Sequence, residues 1–317
     1  MLHAIYYSLT LNLEKFMKNF KGVFVLVILI LNTVFWFLPL ISLALLKLII
    51  PLSSLKILLV RYCNRMAKFW VSCNSIIFLL TNNTRWEIFG DESLSDQDWY
   101  LILSNHLSWV DIIVLQTILN NKTPFLKFFI KRELFWVPIL GVAWWALDMP
   151  FMQRYSKEYL QKYPNKRGED IKATKKACER FRYTPTSVIN FVEGTRFTLD
   201  RKVRMRSPYQ NLLPPRAGGT GLALSSMGGI FTKILDITIV YQDGVISFWD
   251  LLCGEFKSVF VDIRKRNIEE WMHNSDYQNN KMDRERFQEW LAQLWRQKDI
   301  MIIEIKEKYT KLAHNEK

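Results

Sequence analysis

A chain of 317 residues, half of them apolar and 14% aromatic, can hold one large α/β domain plus an anchor, or two small domains. Only 12 glycines and no internal period argue against repeats and low-complexity sequence. A formal net charge of +13 draws the chain toward anionic partners, whether nucleic acid, acidic lipid headgroups or phosphorylated substrates.

The four cysteines (Cys63, Cys73, Cys178, Cys253) form no C-x-x-C pair, and His3, His106, His273 and His314 are equally scattered. This spacing gives no zinc site and reads as reduced thiols facing the cytosol. In chain order, the first feature is Gly22 to Leu46, which carries no charged residue. It exceeds the roughly 20 apolar residues that a membrane span needs and the about 7–15 of a signal peptide. Ser42-Leu-Ala44 is a poor cleavage triplet, so the segment reads as a membrane anchor, which tilts the choice of partner toward lipid and away from nucleic acid. Lys15, Lys18 and Lys21 precede it, and Lys47, Lys56, Arg61, Arg65 and Lys68 follow. Positive charge favours the cytoplasmic side, and both flanks are basic. The expectation is a re-entrant hairpin with both ends cytoplasmic, bent at Asn32-Thr33 or at Pro39. Leu48 to Leu59, interrupted by Pro51 and Lys56, reads as an interfacial helix. Residues 60–82 read as an amphipathic helix. The organisation expected is therefore an anchor and amphipathic helices over 1–82 and an α/β domain with a C-terminal helix over 83–317.

Within that domain, Tyr100–Ser104 reads as a buried strand, Asp111–Leu119 as a helix and Pro124–Ile130 as a second strand. Ser156–Arg182 has a basic, helical pattern. Ser187–Val192 is a β-branched strand, Ala217–Met227 a helix of small residues, and Lys233–Tyr241 and Phe256–Ile263 further strands. Asp283–Leu312 is a long helix, with Phe287, Trp290, Leu291, Leu294 and Trp295 on one stripe. Strands alternating with helices imply an α/β fold with a mostly parallel sheet flanked by helices. Such sheets gather ligands beyond the carboxyl ends of their strands.

Two short strings follow strand-like runs and so can meet at one sheet edge. Asn105-His-Leu-Ser-Trp-Val-Asp111 offers an imidazole and a carboxylate five residues on. Positions five apart align poorly on a regular helix, so His106 belongs in the turn and Asp111 in the helix that follows. A carboxylate on one ring nitrogen fixes the tautomer and makes the other nitrogen a base. Phe191-Val-Glu-Gly-Thr-Arg-Phe197 ends a strand in a glycine turn. Arg196 there offers a planar fork of donors suited to phosphate, and Thr195 offers a hydroxyl.

Together these strings resemble the glycerolipid acyltransferase family, whose first motif is His-x4-Asp. The resemblance extends to Lys131-Arg-Glu-Leu134 followed by Pro138 and Gly141, and to Met149-Pro-Phe-Met-Gln-Arg154. It implies that His106 and Asp111 deprotonate an acceptor hydroxyl, that Lys131, Arg154 and Arg196 surround the acceptor's phosphate, and that Glu193, Gly194 and Thr195 position the acceptor or the turn itself. The family's usual fourth motif closes in proline, whereas Ile237-Thr-Ile-Val-Tyr241 has none and Leu213-Pro-Pro-Arg-Ala-Gly-Gly219 precedes it. That pattern looks most like the lysocardiolipin acyltransferase branch and its bacterial YihG-type relatives, and so points to a bacterial inner membrane with the site on the cytoplasmic face. The implied reaction moves a fatty acyl group from acyl-CoA or acyl carrier protein to a lysophospholipid or 1-acylglycerol-3-phosphate, with no metal and no cofactor beyond the acyl donor.

A basic cluster of Arg201, Lys202, Arg204, Arg206 and Arg216 follows the second string and reads either as a solvated loop or as a face for an anionic lipid or donor. Two rival readings stand. A serine hydrolase wants Gly-x-Ser-x-Gly, which does not occur, although Ser108 lies beside His106. A non-enzymatic module binding anionic lipid would leave both strings unexplained.

Overall fold

The computed structural model describes residues 2–90, 92–152, 163, 179–226, 229–242, 244–277 and 279–315. Helix α1 (Leu2–Ile49) runs unbroken through Pro39, and α2 (Ser53–Thr81) returns along it. Their contacts run in opposite directions. Asn32 Nδ2 donates to Asn74 Oδ1 at 2.8 Å, Trp70 Nε1 donates to Thr33 Oγ1 at 3.2 Å, and Trp36 stacks on Phe69. The reversal therefore falls at Ile50-Pro51-Leu52 and not at Asn32-Thr33 or Pro39. Pro51 lacks an N–H and its ring disfavours helix in the residue before it. Asn32 and Thr33 spend their polar groups across the helix pair, so they hold it straight where the sequence suggested a bend. The interfacial helix expected over Leu48–Leu59 is accordingly split between the two.

Asn12–Ile49 is long and apolar enough to cross a membrane, and 11% of its most apolar window is buried. Both ends of this stretch are tied to the rest of the protein. Lys18 Nζ lies 2.9 Å from Glu255, and Lys47 Nζ lies 2.9 Å from Asp148 and donates to Ala146 O. At 1.5 Å per residue these two anchors are about 43 Å apart along the helix.

The strands are β1 (Arg85–Phe89), β2 (Tyr100–Ser104), β3 (Leu126–Phe128), β4 (Ile130–Lys131), β5 (Phe151–Met152), β6 (Ser187–Phe191), β7 (Lys233–Val240) and β8 (Ser258–Asn267). Six of them form one sheet in the order β1-β8-β7-β2-β6-β3, parallel throughout except between β7 and β8. β4 and β5 pair separately. The helices after α2 are α3 (Val110–Leu119), α4 (Leu140–Ala146), α5 (Leu199–Arg204), α6 (Ala217–Ser226), α7 (Phe248–Cys253), α8 (Glu270–Asn274) and α9 (Lys281–Asn315). The expected α/β fold, a mostly parallel sheet flanked by helices, is present.

The central strands are buried on both faces, which is why β2 and β7 read as continuous apolar runs. Leu101, Leu103 and Ile234 face one layer with Phe287, Leu291 and Trp295 of α9. Tyr100, Ile102 and Ile237 face the other with Val114 and Leu115 of α3 and Val25 of α1. The stripe read from the sequence is thus core, with Trp295 fully buried. Most of Ser156–Arg182, and Arg154 with it, lies outside the described residues.

Candidate active site

β2 lies between β7 and β6, and all three end at the same edge. Asn105 closes β2 with its side chain, donating to Ile239 O and accepting from Ile239 N, each at 2.9 Å. The amide so imitates one more rung of the ladder and turns the chain out, leaving His106 in the turn before α3. Asp111 enters in the first turn of α3 and is fully buried. Its Oδ2 accepts from His106 Nδ1 at 2.8 Å, from Leu107 N at 2.6 Å and from Ser108 N at 2.9 Å. Its Oδ1 accepts from Tyr241 Oη at 2.6 Å. With Nδ1 held by the carboxylate, Nε2 is the free ring nitrogen and has no partner among the described residues. The imidazole stacks on Phe191, ring centroids 4.0 Å apart and planes 17° from parallel. Its side chain is 14% exposed, so the ring is walled in yet reachable.

β6 delivers the second string to the same edge. Gly194 takes φ +70°, a conformation that an L side chain enters at a cost, and its N–H donates to Phe191 O at 2.9 Å. Two backbone bonds fasten this turn to its neighbours: Phe197 N donates to His106 O at 2.7 Å, and Arg216 N donates to Val192 O at 2.9 Å. The two strings are thus joined by the β2–β6 ladder and directly by the Phe197–His106 hydrogen bond.

Glu193 is buried and accepts from Leu213 N at 3.3 Å. Burial pushes its carboxyl up to about 8, only partly opposed by the amides of Leu213 and His106 and by Lys298. Glu193 is thus buried at the turn with a carboxyl that favours the proton, bonded to the backbone that packs against the motif. Arg196 is half-buried, with its guanidinium 5.2 Å over the Trp109 ring. It has no carboxylate partner among the described residues, so it is not an arginine tied to a neighbouring glutamate. Arg201 donates to Arg196 O at 2.8 Å and steadies it from the basic cluster.

Lys131 is exposed on β4, which pairs with β5 apart from the six-stranded sheet. The segment after it is shaped by Gly141, where a Cβ would lie 1.9 Å from Phe135 O. Ser108 donates its hydroxyl to Ile246 O at 2.6 Å, which commits that oxygen to structure. Two residues that the sequence reading left without a role are central here: Phe191, the last residue of β6, and Tyr241, just past β7. An apolar cavity also opens between α2, α3 and α7, lined by Phe78, Leu79, Trp86, Ile113 and Leu251 among others.

Residues 85–242, about half of the chain, match the Acyltransferase family model. The curated 1-acyl-sn-glycerol-3-phosphate acyltransferase 3 of Arabidopsis thaliana is 24% identical over 65% of this chain and 54% of that protein. The human 1-acyl-sn-glycerol-3-phosphate acyltransferase gamma is 23% identical over 73% of this chain and 58% of that protein. The chain thus spans a little over half the length of these curated relatives. The crystal structure of the 1-acyl-sn-glycerophosphate (LPA) acyltransferase PlsC from Thermotoga maritima aligns over 91% of this chain and 98% of that one, at 13% identity and a TM-score of 0.46. On the family match and the curated relatives, this chain belongs to the glycerolipid acyltransferase family.

Proposed function

We propose that this chain is a membrane-bound O-acyltransferase that moves a fatty acyl group from a thioester to the free hydroxyl of a lysophospholipid or 1-acylglycerol-3-phosphate. The observation that carries the reading is the His106–Asp111 pair lying against the Arg196 turn, with one hydrogen bond joining the two motifs. His106 Nε2 takes the hydroxyl proton as the oxygen attacks the thioester carbonyl. The tetrahedral adduct collapses, the C–S bond breaks, and His106 returns the proton to the departing thiolate. Asp111 holds the ring in the working tautomer and stabilises the imidazolium between those steps. Arg196 binds the acceptor's phosphate, and Arg154 and Lys131 complete that charge where the bound acceptor reaches them. The thioester donor is acyl-CoA or acyl carrier protein, and no step calls for a metal. A serine-hydrolase mechanism finds no support, because the Ser108 hydroxyl is already spent on Ile246.

We place the protein on one face of the membrane. If α1 crossed perpendicularly between Lys18 and Lys47, Glu255 and Asp148 would have to lie on opposite sides of a bilayer, yet both belong to the α/β part of the chain. A helix docked at both ends lies along the surface and offers its bare apolar side, Phe20, Phe24, Leu31 and Phe35 among others, to lipid. Trp136, 82% exposed, is a further apolar group available to that surface. The catalytic face is the one bathed by cytosolic thioesters.

The test is transfer by the full-length chain in phospholipid vesicles, offered acyl-CoA and acyl carrier protein thioesters against 1-acylglycerol-3-phosphate and a panel of lysophospholipids. New diacyl product from at least one pairing is expected, absent with His106→Ala. Thioester consumption without acylated acceptor would instead indicate a hydrolase.

A further inference from the structure

We propose that Tyr241 is a positioning residue for the His106–Asp111 pair, its phenol setting how tightly Asp111 holds the imidazolium proton. The inference rests on the reading of His106 as the base. Its ground is the division of donors on Asp111. Oδ2 serves His106 Nδ1, Leu107 N and Ser108 N, while Oδ1 has one donor, Tyr241 Oη at 2.6 Å. Both side chains are buried, so water does not stand in for the phenol. The two backbone amides belong to the turn and fix where the carboxylate sits. Tyr241 comes from a different strand, β7, and ties the α3 carboxylate to the sheet beside β2. This is also the place where the chain departs from its family's proline-closed strand. The departure puts a hydrogen-bond donor at the end of β7.

A hydrogen bond from a neutral donor to a buried carboxylate is short and charge-assisted. It draws negative charge away from the side facing His106. Burial, then the charge of Asp111, holds the phenol well above its ordinary ionisation range, so Tyr241 remains a donor wherever the enzyme would work. Without that donor, the whole negative charge of Asp111 faces the ring and holds the imidazolium more strongly. Other charged or titratable groups approach from neighbouring elements. Glu193 approaches from the turn after β6, within electrostatic reach of Asp111. Lys298 comes from α9 and is bound to Asp236 and Ile237 O. Arg196 lies over Trp109.

The test uses the full-length chain in phospholipid vesicles, with thiol release followed against pH. For Tyr241→Phe, kcat/KM near neutral pH should fall roughly 10-fold, with the acceptor KM within about two-fold, as expected for losing one hydrogen bond to a charged group. The acid limb of its pH profile should move to higher pH. Replacing Tyr241 by 3-fluorotyrosine keeps size and strengthens the donor, so the limb should move the other way. An equal loss at every pH with an unmoved limb would overturn the proposal and leave Tyr241 as packing. If Tyr241→Phe does not fold, the fluorotyrosine shift decides alone, and an unmoved limb there overturns the proposal as well. Absence of transfer by the unaltered chain would instead sink the acyltransferase reading itself.

Discussion

At the scale of residues, the proposed reaction puts the proton on one nitrogen and the phosphate on one guanidinium. His106→Ala should lower transfer roughly 10²–10⁴-fold, the usual contribution of a positioned general base. The fold should survive, because His106 sits in a turn and not in either core layer. Asp111→Asn should be comparably severe, since it removes the charge behind the imidazolium and allows the wrong tautomer. Circular dichroism of both variants checks the fold, and thiol release checks the rate. Arg196→Ala should cost about 2–5 kcal/mol in acceptor kcat/KM and leave the donor KM little changed. Arg196→Lys should rescue only partly, because a point charge cannot reproduce a planar fork. A rise confined to the donor KM would move Arg196 to the thioester. Glu193 gives a stability signature. Its carboxyl is raised in the folded protein from 4.5 to about 8, so folded and unfolded chains bind the proton equally below the lower value. Stability is then lost as pH rises through that window, by up to about 1.4 kcal/mol per unit of separation. Glu193→Gln should flatten the dependence of Tm on pH between those limits. A wild-type Tm that does not fall across it would show the carboxyl to be ionised.

At the scale of elements, Gly194→Ala should destabilise the turn by about 1–2 kcal/mol, since φ is +70° and the new Cβ would lie 3.2 Å from Arg216 Cδ. Thermal unfolding reads the loss directly. Much of this layer was legible in the sequence. β2, β6 and β7 are apolar runs between polar ends, and a strand buried on both faces must look like that. His106 and Asp111 were legible as a pair because a carboxylate five residues on, at the start of the helix that follows the turn, is carried back over that turn. β1 was missed because Arg85–Phe89 interleaves charged with apolar residues on a half-exposed edge. α5 and α7 were missed because six residues carry too little periodicity. The bend in the apolar segment was misread for a clearer reason. Asn32, Thr33 and Pro39 look like helix breakers when only their own helix is considered, and the partners that satisfy Asn32 and Thr33 lie some 40 residues away on α2. Tyr241 escaped notice similarly, since its bond to Asp111 spans 130 residues.

At the scale of the whole molecule, the proposed placement against one leaflet rests on net charge, bare apolar helix faces and an α1 docked at both ends. A cysteine introduced as Ser8→Cys, in a chain whose own four cysteines are replaced, should resist an impermeant thiol reagent in intact cells and react once the membrane is opened. Labelling in intact cells would mean that α1 crosses and has left Glu255 or Asp148 behind. The proposed reaction, though, turns on one proton transfer at the sheet edge. The most direct measurement is acceptor-dependent thiol release by the purified full-length chain in vesicles, run side by side with His106→Ala and with product mass determined. Release matched one-for-one by a diacylated lipid, and abolished in the variant, is the expected result. Equal turnover by His106→Ala, or thiol release that ignores the acceptor, would contradict the account.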